Sequence, residues 1–312
     1  MSTPVRRRLA AASITLALLA ACSTTETTTP PAASSAEATA PPSTGSSPAP
    51  VDASTERALA DLEERFDARL GVYAVDTDSG RSVAHRADER FAYASTIKAL
   101  AAAVVLDRTT PGDLAQVVPY DASDLVANSP VTEERLGAGM SLGEVAEAAV
   151  RRSDNTAANL LLERIGGPPA LDTALAELGD VVTTVVRDEP ELNDTAPADD
   201  RDTSTPRGLA AALRAFAVDD ALVEEDRAQL VDWMSGNATG DALVRAGVPA
   251  GWQVADKSGA AAYGTRNDIA VVYPPDGEPI VVAVMSDRAR PDADHDDALV
   301  AEAAQVVVDA LR

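Results

Sequence analysis

The apolar and polar positions of this chain follow two different periods, and the places where the period changes divide it into blocks. Leu59, Leu62 and Phe66 fall at helical spacing, so Thr55 to Phe66 reads as an amphipathic helix. Leu70 to Asp76 and Arg81 to Ala87 then read as strands joined by the turn Asp78-Ser79-Gly80. From about Phe91 to Met234 helical patterns dominate: Ser95 to Leu106, Ser141 to Arg151, Thr156 to Ile165, Pro168 to Leu178 and Thr205 to Phe216. Strands return at Gln253 to Gly259, Arg266 to Tyr273 and Pro279 to Met285, the last two separated by the turn Pro274-Pro275-Asp276-Gly277, and Asp294 to Leu311 closes the chain as a helix. Five strand segments at the two ends of a helical middle predict an α/β (α+β) fold of two lobes. One antiparallel five-stranded sheet, flanked by the N- and C-terminal helices, is assembled from residues 53–88 and 236–312, and an all-α lobe, 89–235, is inserted.

The N-terminus follows neither period. Arg6-Arg7-Arg8 precedes an apolar stretch from Leu9 to Ala21, which ends at Leu19-Ala20-Ala21-Cys22. This is the layout of a signal peptide over 1–21, too short for a comfortable membrane helix of roughly 20 residues. Leu-Ala-Ala-Cys resembles the lipobox of bacterial lipoproteins and marks Cys22 for lipidation; an ordinary signal peptide with an incidental cysteine is the alternative, and the basic start suits either general or twin-arginine export. Residues 22–52 are almost all Thr, Ser, Pro, Ala and Gly, the composition of a disordered tether. About 30 residues of flexible coil span on the order of 30 Å. The chain is therefore expected to be exported and held at the cell surface or in the periplasm, touching membrane only through lipid on Cys22, or to be released.

Charge and cysteine content narrow the chemistry. A formal net charge of -24 over 312 residues repels phosphates and anionic headgroups and argues against a nucleic-acid partner. One cysteine and two histidines leave no intramolecular disulfide and no Cys/His metal cluster. His85 and His295, each among polar neighbours, read as solvated surface residues, although either could complete a Ser-His-Asp triad on paper.

Three short elements carry candidate chemistry. Ser95-Thr96-Ile97-Lys98 puts a hydroxyl and an amine on one face of an apolar helix, where a desolvated lysine can act as base towards the serine. Alone it fits equally a helix cap followed by a surface lysine, but Lys98 is the only charge between Arg90 and Asp107. Ser153-Asp154-Asn155, between two helices, can be a cap or part of a site. Lys257-Ser258-Gly259 lies on a strand, where the glycine lets a ligand approach the backbone.

In this order and at these separations the three elements resemble the Ser-x-x-Lys, Ser-Asp-Asn and Lys-Thr-Gly signature of class A β-lactamases and penicillin-binding proteins, with Ser258 in place of threonine. Glu189-Pro190-Glu191-Leu192-Asn193 resembles the omega loop of class A enzymes, placed here at about 184–202. Val131-Thr132-Glu133-Glu134 and the run from Ser153 to Leu162 read like the same enzymes, and the resemblance covers about 54 to 312.

The resemblance implies a β-lactamase/transpeptidase-like fold and a cofactor-free, metal-free monomer that opens the β-lactam amide of penicillins and cephalosporins and so confers resistance. Ser95 would be the nucleophile, with Lys98 or Glu189, acting through a water, as acylation base. The N–H groups of Ser95 and Ala260 would form the oxyanion hole. Ser153 would pass a proton to the departing nitrogen. Asn155 would hold the acyl side chain and orient Lys98, while Lys257, Ser258 and Arg266 bind the substrate carboxylate. Gly259 and Ala260 would line the substrate's strand edge. Glu189 with Asn193 would activate the deacylating water, which separates a turnover enzyme from a penicillin-inhibited D,D-peptidase or an inactive β-lactam-binding relative. Arg187 and Asp202 match the ion pair that closes the omega loop; two solvated charges are the alternative.

Asn128 stands where the family commonly has an aromatic at the site entrance. Without a disulfide, and with small neutral Ala260-Ala261-Ala262 beside the substrate, penicillins and early cephalosporins are expected over oxyimino cephalosporins and carbapenems.

Overall fold

The computed structural model describes residues 53–312. The expected signal peptide, Cys22 and the tether lie outside the described residues.

Helix α1 (Ala53–Phe66) leads into β1 (Arg69–Asp76), β2 (Ser82–His85) and the short β3 (Phe91–Ala92). The helical stretch begins with a 3₁₀ turn, Ala94–Thr96, that runs into α2 (Ile97–Arg108). It continues through α3 (Pro111–Leu114), the two-residue β4 (Val117–Val118), α4 (Pro130–Glu134) and the two-residue β5 (Met140–Ser141). Next come α5 (Leu142–Arg151), α6 (Asn155–Ile165), α7 (Pro168–Glu177), the short β6 (Thr203–Ser204), α8 (Pro206–Ala217), α9 (Glu224–Ser235) and α10 (Val244–Gly247). Strands β7 (Gln253–Ala261), β8 (Thr265–Tyr273) and β9 (Ile280–Asp287) and helix α11 (Asp297–Leu311) complete the chain.

The five long strands form one antiparallel sheet in the order β2-β1-β9-β8-β7. Its middle strand, β9, reads Ile-Val-Val-Ala-Val-Met-Ser-Asp, an apolar run rather than an alternation, because both faces are covered. Val281, Ala283 and Met285 pack into a core shared with α2, α5, α6 and α8, while Ile280, Val282 and Val284 face α1 and α11. Strand periodicity thus sorts alternate residues into two cores. Helix α2 lies deepest: every residue from Ile97 to Leu106 is buried, Lys98 among them, and four of these ten are alanines. An apolar circumference of small side chains suits a helix packed on all sides.

Caps set the boundaries. Ser141 and Glu144 form a capping box at α5, Asp154 accepts from Ala157 N at α6, and Thr205 accepts from Gly208 N at α8. The last helix starts at Asp297, three residues after its expected start, because Asp296 accepts from Ala298 N and the preceding Pro291-to-His295 stretch is not helical. Strand β2 is shorter than the expected Arg81 to Ala87. His85 departs from expectation: its side chain is 10% exposed, with Nε2 3.2 Å from Glu63 Oε2 on α1. His295 is 45% exposed.

Candidate active site

Strand β7 is the open edge of the sheet, and the turn carrying Ser95 packs against it. A Cβ on Gly259 would lie 3.0 Å from Tyr93 O, 3.1 Å from Ala94 Cβ and 3.1 Å from Ser95 N, so any side chain there would crowd the serine turn and push it away from the strand by a few tenths of an ångström. The turn is pinned from both sides: Thr96 Oγ1 donates to Tyr93 O at 2.7 Å, and Asn267 Nδ2 on β8 donates to Ala92 O at 2.7 Å. Ala94, just before the serine, sits at φ 49°, a left-handed conformation that costs a non-glycine residue energy and recurs at functional turns. Ser95 N therefore points out of a helix N-terminus, where backbone donors have no intrahelical partner. Ala260 is exposed on the β7 edge, one residue beyond Gly259.

Lys98 is almost fully buried and spends its ammonium protons on three oxygens: Asn155 Oδ1 at 2.5 Å, Ser153 O at 2.8 Å and Glu189 Oε1 at 3.0 Å. Burial lowers its proton affinity, and the carboxylate of Glu189 opposes that shift. Ser95 Oγ has its own hydrogen bond to the same Glu189 oxygen, long at 3.4 Å. Serine, lysine and glutamate thus meet at one carboxylate oxygen, while the other, Oε2, accepts from Asn193 Nδ2 at 2.6 Å.

Ser153 has φ 54°, and its Oγ stands 3.5 Å from Lys98 Nζ and 3.2 Å from Lys257 Nζ. Between Ser153 and Asn155, whose side chains both face Lys98, Asp154 turns away from the lysine. It accepts from Val131 N, Thr132 N, Thr132 Oγ1 and Ala157 N, so the triplet is at once a helix cap and a site element. Lys257 is fully buried; burial first, and then the charge of Lys98, pull its pKa down to about 7. Its ammonium also donates to Ser258 O at 2.8 Å.

Register places Ala260 opposite Arg266, so Ser258, Ala260 and Arg266 share a face of the β7-β8 ribbon. Arg266 is tied by its Nε to Asp297 at 2.6 Å, at the first residue of α11, and its charge adds to the lowering at Lys257. Asn128 is exposed with φ 62°, and its carbonyl accepts from Asn155 N at 3.1 Å.

The loop that supplies Glu189 is closed at its base. Thr184 and Thr203 form a β-bridge, and Arg187 Nε donates to Asp202 Oδ2 at 2.5 Å. Asp202 is fully buried and accepts in addition from Tyr93 OH and from the backbone of Val186 and Arg187, so these charges are a buried pair rather than two solvated ones. Asn159 on α6 grips Glu189 from behind, accepting from its N–H at 2.8 Å and donating to its carbonyl at 2.7 Å. Tyr93, Asn159, Asn267 and Asp297 were not singled out in the sequence.

A model of the β-lactamase enzyme family matches residues 54–311. The chain belongs to the β-lactamase enzyme family. It is 57% identical over 267 residues to a β-lactamase of Amycolatopsis lactamdurans, covering 86% of this chain and 88% of that protein, and 54% identical over 258 residues to a β-lactamase of Bacillus subtilis, covering 83% and 84%. Among solved structures it is similar to a class A β-lactamase from Clostridium kluyveri, with TM-score 0.82 and 48% identity over 83% of this chain and 98% of that one. It is a β-lactam hydrolase of the class A serine type, with the mixed α/β architecture of that family and the antibiotic resistance that such hydrolysis confers.

Proposed function

We propose that the cluster around Ser95 works as a two-step acyl-transfer site on penicillins and cephalosporins. Ser95 Oγ bonds to the lactam carbonyl carbon, its proton leaving towards the Lys98 and Glu189 pair. The developing oxyanion is met by Ser95 N and Ala260 N. As the carbonyl carbon–nitrogen bond breaks, Ser153 gives its proton to the nitrogen and is resupplied from the lysines beside it. Lys257, Ser258 and Arg266 take the substrate carboxylate, two fixed cations and a hydroxyl matched to an anion. Asn155 and Asn128 lie along the acyl side chain.

Glu189 then removes a proton from a water, the water oxygen attacks the acyl carbon, and Ser95 Oγ leaves with a proton. Asn193 orients that carboxylate and water. The observation that carries this reading is that Glu189 Oε1 reaches both Ser95 Oγ and Lys98 Nζ while Asn193 holds Oε2. A carboxylate within reach of the acylated oxygen is what turnover requires and a penicillin-trapping protein can lack.

The neutral strand edge beyond Gly259 favours penicillins and early cephalosporins. Steady-state kinetics on benzylpenicillin, an early cephalosporin, cefotaxime and a carbapenem, with Ser95→Ala as the inactive control, test both parts. Comparable kcat/KM for cefotaxime and benzylpenicillin would overturn the preference. The working form is a monomer, exported and anchored by lipid on Cys22. Cys22→Ala is expected to move the enzyme from the membrane to the soluble fraction, and an unchanged distribution would remove the anchor.

A further inference from the structure

The Ser258 hydroxyl is the end of a chain of hydrogen bonds whose directions can be assigned. Thr239 N–H lies 3.1 Å from Asn237 Oδ1, and a backbone N–H can only donate, so that atom is the amide oxygen. At the other end Asn237 Nδ2 donates at 2.5 Å to Asp256 Oδ2, a carboxylate that faces Arg245 Nε at 2.5 Å. The amide is thus oriented independently from both sides. Thr239 Oγ1 also stands 2.7 Å from Asn237 Oδ1, which has no proton to offer, so the threonine hydroxyl commits its only proton there. Towards Ser258 Oγ, 2.7 Å away, Thr239 has only lone pairs left. Ser258 must therefore donate to Thr239.

We propose that Thr239 is a specificity-determining residue that sets the affinity for the substrate's anionic group by holding the Ser258 proton in the resting enzyme. The proposal rests on the reading that Ser258 meets the substrate carboxylate. A carboxylate only accepts, so binding it requires the Ser258 hydroxyl to rotate, breaking the bond to Thr239 and leaving Thr239 Oγ1 without its donor. Lys257 and Arg266 attract the anion, and Thr239 taxes the hydroxyl's share. Asn237 and Asp256 hold the bias in place, because the amide cannot turn its oxygen away from Thr239 without the buried Asp256 carboxylate losing its donor.

Thr239 is exposed, so Thr239→Val removes the competing acceptor at nearly constant shape without opening the core. A neutral hydrogen bond of this kind corresponds to about three- to tenfold in an equilibrium constant. The experiment measures the dissociation constant of benzylpenicillin from stopped-flow acylation, with steady-state kcat and KM, in the parent, Thr239→Val, Thr239→Ser, Ser258→Ala and the double variant of Thr239→Val with Ser258→Ala. Thr239→Val should tighten binding about three- to tenfold, with the change in Kd and KM rather than kcat. Thr239→Ser should bind as the parent does, and Thr239→Val should have no effect once Ser258 is alanine. If Ser258→Ala weakens binding but Thr239→Val leaves it unchanged or weakens it, the proposal is wrong and the Ser258 reading stands. If Ser258→Ala does not weaken binding, both fall.

Discussion

Replacing Asp202 with alanine tests how the loop that carries Glu189 is held. The Asp202 carboxylate is fully buried and accepts from Arg187 Nε at 2.5 Å, Tyr93 OH at 2.9 Å, Val186 N at 2.9 Å and Arg187 N at 3.0 Å. Alanine leaves a cation with 18% of its side chain exposed, a buried phenol and two backbone donors without their acceptor. Removing one partner of a buried pair costs about 3–5 kcal/mol. For a domain of this size a kilocalorie per mole moves Tm by about 2–4 °C, so the melting temperature should fall by about 6–20 °C. Differential scanning calorimetry, supported by urea unfolding, measures it. Arg207 and Asp88 make a comparably short bond, 2.7 Å, but with side chains 44% and 73% exposed, so Asp88→Asn should cost less than about 1 kcal/mol. A loss in Asp202→Ala no larger than that control would refute the reasoning. Because the loop closed by Asp202 also carries Glu189, the same variant should lose kcat more than its acylation rate and build up acyl-enzyme.

Other outcomes follow from the lysines and the strand edge. The Lys257 ammonium, its pKa pulled down to about 7, loses its charge near neutrality, so kcat/KM for an anionic substrate should fall as pH rises through about 7. Lys257→Arg, charged throughout, should push that limb to higher pH; an unmoved limb would exonerate Lys257. Because the folded-state value lies below the usual lysine value, burying this cation costs stability in full below about pH 7, and the cost is relieved as pH rises towards 10.5. Lys257→Met should accordingly stabilise the fold more near pH 6 than near pH 10, measured by urea unfolding at both. Gly259→Ala puts a methyl 3.0 Å from Tyr93 O and 3.1 Å from Ser95 N, so kcat/KM should drop about tenfold to a hundredfold with little change in Tm. Parental kinetics in that variant would mean that the strand does not set the position of the serine.

The sequence discloses what is local or periodic. Strand β9 and helix α2 announce themselves as apolar runs, and Lys98 stands out because it interrupts one of them. Ser95 and Ser153 are legible through short motifs at helix starts, and Lys257 through a short motif within strand β7. What stays hidden is held by distant partners. Asn159 grips Glu189 from 30 residues away, and Asn267 holds the serine turn from 175. Neither has a neighbour in sequence that betrays the contact. His85, on strand β2, reads as solvated because its neighbours are polar, but its partner Glu63 comes from helix α1. Thr239 and Asp297 are silent for the same reason: their partners, Ser258 and Arg266, are brought to them by the sheet.

The central claim, that Ser95 is acylated and Glu189 removes the acyl group, is tested most directly by intact mass spectrometry of Glu189→Gln after mixing with benzylpenicillin. The account predicts a long-lived one-to-one adduct that maps to the peptide containing Ser95, absent from the parent at the same time points. Rapid turnover by Glu189→Gln, or an adduct on another residue, would contradict it.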